Sequence, residues 1–179
     1  MTDDLFTTEP TPDFNNPIGL LKACHQRILG FCELLEKIVV HTNEHGVDKT
    51  VTQAAQKVHR YFSTAGEHHT ADEEEDLFPL LLDALAETGT VIQSLQHEHS
   101  AIHALWIQLD SVLSSPALID ETSEFENWVK EFSDAYKEHI QVEETELFSK
   151  AEEILTRNQL EKLGNSMKKR REIHQTYSD

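Results

Sequence analysis

Positive charge is scarce in this chain. Its 15 lysines and arginines stand against 33 aspartates and glutamates, a formal net charge of −18 with the histidines neutral. Such a surface repels phosphate backbones, so nucleic acid is not an expected partner. Long apolar runs are also missing. Nothing approaches the roughly 20 residues that cross a bilayer, and the N-terminus, MTDDLFTTEP, lacks the basic stretch and apolar core of a secretory signal. A cytoplasmic protein with no membrane partner is expected. Cysteine is nearly absent, with only Cys24 and Cys32. Eight residues on one helix span about 12 Å, too far for a mutual disulfide. No C-x-x-C pair supports a thiolate zinc site, so both are expected to be small buried residues in a reducing compartment. No segment alternates apolar and polar residues between turns, and no strand is expected. Two metal-enzyme signatures are missing too. No histidine has a glutamate three residues before it, the spacing of ferritin-like carboxylate oxidases. His97-Glu98 is followed by Ala101 where a zinc protease would place its second histidine.

What the chain does have is helical periodicity and histidine. Its 179 residues, 38% of them hydrophobic, suffice for one domain with a single core. Residues 1–16, with Pro10 and Pro12, read as an extended tail, and Asn16-Pro17 as an N-cap and first helical position. A first helix runs from Pro17 to about Val40 along Ile18, Leu21, His25, Ile28, Cys32, Leu35 and Val39, with Gly46 as the break beyond it. A second covers about 48–87 along Val51, Ala55, Val58, Phe62, Ala65, His69, Glu73 and Leu77, with Gly66 a weak point and Pro79 a kink. A third covers 90–114 along Ile92, Leu95, His99, Ile102, His103, Trp106 and Leu113. A fourth covers 121–155 along Phe125, Trp128, Phe132, Tyr136, His139, Glu143 and Leu147. A short segment over 157–173 ends in Lys168-Lys169-Arg170-Arg171, positive charge that suits a helix C-terminus. The expected fold is all-α: an antiparallel up-down four-helix bundle over 17–155 with a short extra C-terminal helix in 156–179.

Two segments match each other: H-T-A-D-E-E-E-D-L-F from His69 and H-I-Q-V-E-E-T-E-L-F from His139, both of the form H-x-x-x-E-E-x-x-L-F. A histidine and a carboxylate four residues apart share a helix face and can reach one metal. His99 and His103 are also four apart, and His25 lies in the first stripe. Each of these histidines is in phase with core residues. If the four stripes face one core, His25, His69, Glu73, His99, His103, His139 and Glu143 converge. Nitrogen and oxygen ligation without thiolate suits iron, manganese or zinc, and this set exceeds what one tetrahedral zinc needs. The other histidines are assigned elsewhere: His68 to a supporting or solvent-facing role, His97 to a flank, and His41, His45, His59 and His174 to the surface. Asp72, Glu74, Glu75 and Asp76 read as a solvated acidic face, and Tyr61, Tyr136, Trp106 and Trp128 as core.

On these motifs the chain resembles the hemerythrin (histidine-histidine-glutamate cation-binding) family over about residues 17–155. The resemblance implies a non-haem centre of two iron ions, oxo- or hydroxo-bridged and carboxylate-bridged. His25 and His69 would serve one ion, His99, His103 and His139 the other, with Glu73 and Glu143 bridging. Oxygen-carrying members place an aspartate five residues after the last histidine. Here that position is Glu144, and the internal repeat favours Glu143. The implied task is binding or sensing of oxygen, nitric oxide or another small oxidant, or iron handling. The alternative is an iron–sulfur repair factor or peroxidase-like enzyme. Repair members carry an N-terminal cysteine-bearing domain, and no cysteine precedes the first helix here.

Overall fold

The computed structural model describes residues 12–176, with side chains to residue 172. Most of the expected N-terminal tail (1–11) and the side chain of His174 lie outside the described residues. Among those described there are five helices and no strand.

Helix α1 is Pro17–His45. Asn16 Oδ1 accepts from the Gly19 N–H at 3.0 Å, and the fixed φ of Pro17 suits the first turn. The helix runs past the expected end at Val40 because nothing breaks it before Gly46, whose φ of 73° is open to glycine at little cost. Helix α2 spans 49–84 and starts at Asp48, which accepts from the Val51 N–H at 2.9 Å. It is not a uniform α-helix. Two π-turns interrupt it, Phe62–Gly66 and Asp72–Leu77. Each π-turn accommodates an extra residue and shifts the facing register, so Gly66 rather than Ala65 is buried. Pro79 produces no break in the helix. It follows the second π-turn, where the Phe78 N–H bonds back to the Glu73 carbonyl. A single 3₁₀ turn, Ala86–Thr88, leads into α3, Gly89–Leu113. Helix α4 spans 125–154 and contains a third π-turn, Glu143–Phe148. It begins later than expected, after a 3₁₀ turn at Pro116–Leu118 and further turns. Within that loop Asp120 accepts from the Val47 N–H at 3.1 Å. Helix α5, Arg157–Thr176, opens with a reciprocal cap: the Thr156 N–H donates to Gln159 and the Gln159 N–H to Thr156.

Helix α1 packs on α2 and α4, and α3 on α2 and α4; α5 lies against α1 and residues 67–77 of α2. The apolar interior forms two clusters. One contains Ile28, Cys32, Phe62, Trp106, Phe132 and Tyr136. The other contains Leu21, Leu77, Phe78, Leu95, Leu147 and Phe148. Between them in sequence, on every stripe, stand the buried histidines and glutamates. Trp128 is only partly buried, and Val129 takes the core position beside it.

Asp72 is not part of a solvated face. It is fully buried and held by two arginines of α5. Arg170 Nη1 contacts Asp72 Oδ1, and Arg171 Nη2 donates to Asp72 Oδ2 at 2.7 Å. Arg170 also donates to Glu75 and Asp76. The basic run therefore ties α5 to α2 beyond any compensation of a helix dipole. Leu163 and Met167 bury the apolar side of α5. Removing both arginines (Arg170→Ala, Arg171→Ala) leaves a buried carboxylate without its cations. A loss of about 3 kcal/mol in urea unfolding is expected, and an unchanged midpoint and slope would contradict this role.

Candidate metal centre

Six of the seven expected ligands meet in the interior. His25, His69, Glu73 and Glu143 form one group, and Glu73, His99, His139 and Glu143 a second. Within each group the ligand atoms all lie within 4.8 Å of one another, and both groups share the two carboxylates. All six residues are buried, Glu73 and Glu143 completely. Every histidine turns Nε2 toward an inner carboxylate: His25 to Glu143 at 3.2 Å, His69 to Glu73 at 3.1 Å, His99 to Glu73 at 3.5 Å and His139 to Glu143 at 3.3 Å.

Both acids lie at the start of a π-turn. In a regular α-helix a residue four positions on is rotated by about 40°. In α2 and α4 a π-turn starts at or just before the acid, and Glu73 and Glu143 lie buried with their histidines. Helix α3 has no such turn. His103, four residues after His99, is left exposed at the edge of α3. The structure does not bring it into either group. It also puts Glu143 rather than Glu144 inside.

An outer layer orients the imidazoles. Glu144 bonds His25 Nδ1 at 2.9 Å, Glu74 bonds His99 Nδ1 at 2.7 Å, and Glu98 bonds His139 Nδ1 at 3.0 Å. Such contacts fix the tautomer and aim Nε2 inward. The phenylalanines of the repeat lie flat on the same rings: Phe148 on His25 with centroids 5.0 Å apart, and Phe78 on His99 at 6.0 Å. Each H-x-x-x-E-E-x-x-L-F segment thus supplies an inner histidine and glutamate. Its second glutamate and its phenylalanine then support a histidine on another helix. Spacing alone does not reveal these contacts, and Glu74 supports a ring where a solvated face is expected. The paired E-E in both repeats was the available signal. His68 and His97 lie outside both groups.

The donor set fits cations. Both oxygens of Glu73 and of Glu143, and Nε2 of His25 and of His139, are buried without a hydrogen-bond partner. Leaving such groups unsatisfied costs several kcal/mol, and two ions among them would satisfy every one. Residues 16–151 match the Hemerythrin HHE cation binding domain. The chain belongs to that family. It is also 31% identical over 165 residues to an uncharacterized protein of Haemophilus influenzae, covering 89% of this chain and 92% of the relative. The family's cation binding and the two His/Glu groups agree on what this interior is for.

A groove of about 390 Å³ reaches the centre between α2 and α3. Phe62, Ile102, Trp106 and Tyr136 line it along with His99, while Glu67 and His103 also border it. On the other side α5 covers α1 and α2.

Protons occupy the sites that metal would take. Burial pulls the His25 imidazolium down, but the Glu143 and Glu73 carboxylates outweigh it and hold it up to about 10. His99 is held up to about 9 by Glu73 against the same burial, and His139 is raised by Glu143. Burial lowers His69, which is neutral at pH 7. Burial opposes ionisation of Glu73 and Glu143, yet the surrounding imidazoles keep both below the usual carboxylate range. Metal loading at pH 7 must therefore expel protons from His25 and His99, and affinity should weaken as pH falls below about 10. Calorimetric titration in buffers of different ionisation enthalpy measures this release. Identical heats in all buffers would rule it out.

Proposed function

We propose that the protein is a non-haem di-iron protein of the cytoplasm, an antiparallel up-down four-helix bundle crossed by α5, that binds or senses a small oxidant such as oxygen or nitric oxide. The observation that carries this reading is the sharing of Glu73 and Glu143 by two groups, each with two histidines of its own. One ion needs four such donors or fewer when tetrahedral; six donors with two common carboxylates suit a bridged pair. Nitrogen and oxygen ligands without thiolate suit iron among the redox metals, with manganese and zinc as the competing ions. Iron would supply electrons and an open position to the incoming molecule.

The chain's own residues supply the rest. Glu74, Glu98 and Glu144 aim imidazoles; Phe78 and Phe148 hold two of the rings in place. The groove gives a small molecule access to the His99 side, and its apolar wall of Phe62, Ile102 and Trp106 suits an uncharged one. The acidic rim disfavours anions. Nothing in the centre is arranged to bind a large substrate, which favours a binding or sensing role over an enzyme.

Metal analysis with optical spectroscopy, on protein from iron-supplied cells, tests this. Two irons per chain are expected, with near-ultraviolet bands of a bridged ferric pair that bleach on reduction and change on exposure to oxygen or nitric oxide. One zinc and no iron would sink the reading. Glu143→Ala should lose at least one metal equivalent, and Glu144→Ala should keep both ions more weakly bound. His103→Ala should retain the metal content and the bands; loss of an ion there would instead restore His103 as a seventh ligand.

A further inference from the structure

The centre has an internal two-fold likeness that exchanges α1 with α3 and α2 with α4. Under it His25 corresponds to His99 and His69 to His139. Their supports correspond as well: Glu144 and Phe148 at His25 match Glu74 and Phe78 at His99. Among the contacts to the four ring Nδ1 atoms the likeness fails at one. Glu98, the residue before His99, reaches across to His139 Nδ1 at 3.0 Å. The residue before His25 is Cys24, and its counterpart target, His69 Nδ1, is buried without a hydrogen-bond partner. His69 is only 3% exposed, so solvent does not reach in to take that role.

We infer that the two metal positions are held unequally, with the ion between His25 and His69 bound more weakly because His69 lacks the outer carboxylate that its counterpart His139 has in Glu98. An imidazole that donates to a carboxylate is fixed in orientation and is a more basic ligand, and losing such a partner typically weakens metal binding about 10- to 100-fold. A half-buried cysteine is a poor substitute. Its thiol accepts only weakly. The consequence is one retained ion at His99–His139 and one exchangeable ion at His25–His69. The inference rests on the two-ion reading above and adds an order of filling to it.

Anaerobic equilibrium titration with cobalt(II), followed by its visible bands, reads each ion separately. The wild-type protein should fill in two steps about 10- to 100-fold apart. Glu98→Ala lies at a half-exposed position and should weaken the tighter step until the two merge, with the helical circular dichroism unchanged. Cys24→Glu should tighten the weaker step and leave the other in place, an effect that a purely structural role for position 24 would not give. Two equal steps in the wild type would overturn the inference while leaving the two-ion reading intact. A single ion at saturation would overturn the two-ion reading instead. In that case loss of the ion in His139→Ala but not in His69→Ala still supports the inequality, and the reverse pattern overturns it.

Discussion

Two carboxylates with no access to water govern this structure. Glu73 and Glu143 sit at zero exposure, flanked by imidazoles, and none of their four oxygens has a hydrogen-bond partner. An uncompensated buried carboxylate is among the most unfavourable groups a protein can carry. The surrounding design answers that cost. Four histidines from four helices face the pair, and three outer glutamates orient three of those rings. Without cations the charges are met in part by protons on His25 and His99. With cations the same atoms become ligands. Stability and metal binding therefore draw on one set of contacts.

Much of this is legible in the residues. Helix α1 keeps a regular 3.6-residue period, and each residue of its expected stripe, from Ile18 to Val39, is buried. The repeated histidine and glutamate also converge as their spacing implies. The misplacements have local physical causes. Ala65 gives way to Gly66 because a π-turn advances the register, and a periodicity argument assumes that no such insertion exists. His103 satisfies the i, i+4 pattern as well as Glu73 does, but α3 stays regular and leaves it at the rim.

A different limit applies to Asp72 and the outer glutamates. Asp72, Glu74, Glu75 and Asp76, the acids flanking Glu73, look solvated, because charged residues are seldom buried. What places Asp72 inside is a pair of arginines 98 and 99 positions away in the chain, and no local pattern carries that information. The acidic run D-E-E-E-D is in fact divided three ways: Asp72, Glu75 and Asp76 to the arginines of α5, Glu73 to the centre, and Glu74 to His99. Consecutive side chains on a helix point in different directions, so one short stretch can serve several partners at once.

The separation of the apolar interior into two clusters has a further meaning. Small single domains usually unfold as one cooperative unit. Here a polar layer lies across the middle, and apolar packing alone does not join the upper half to the lower. The helices pass through both halves, but the layer between them coheres only as strongly as its charges are balanced. Ions in that layer would act as mortar between two courses of brick. Cooperativity itself, and not stability alone, would then be a property that the metal confers.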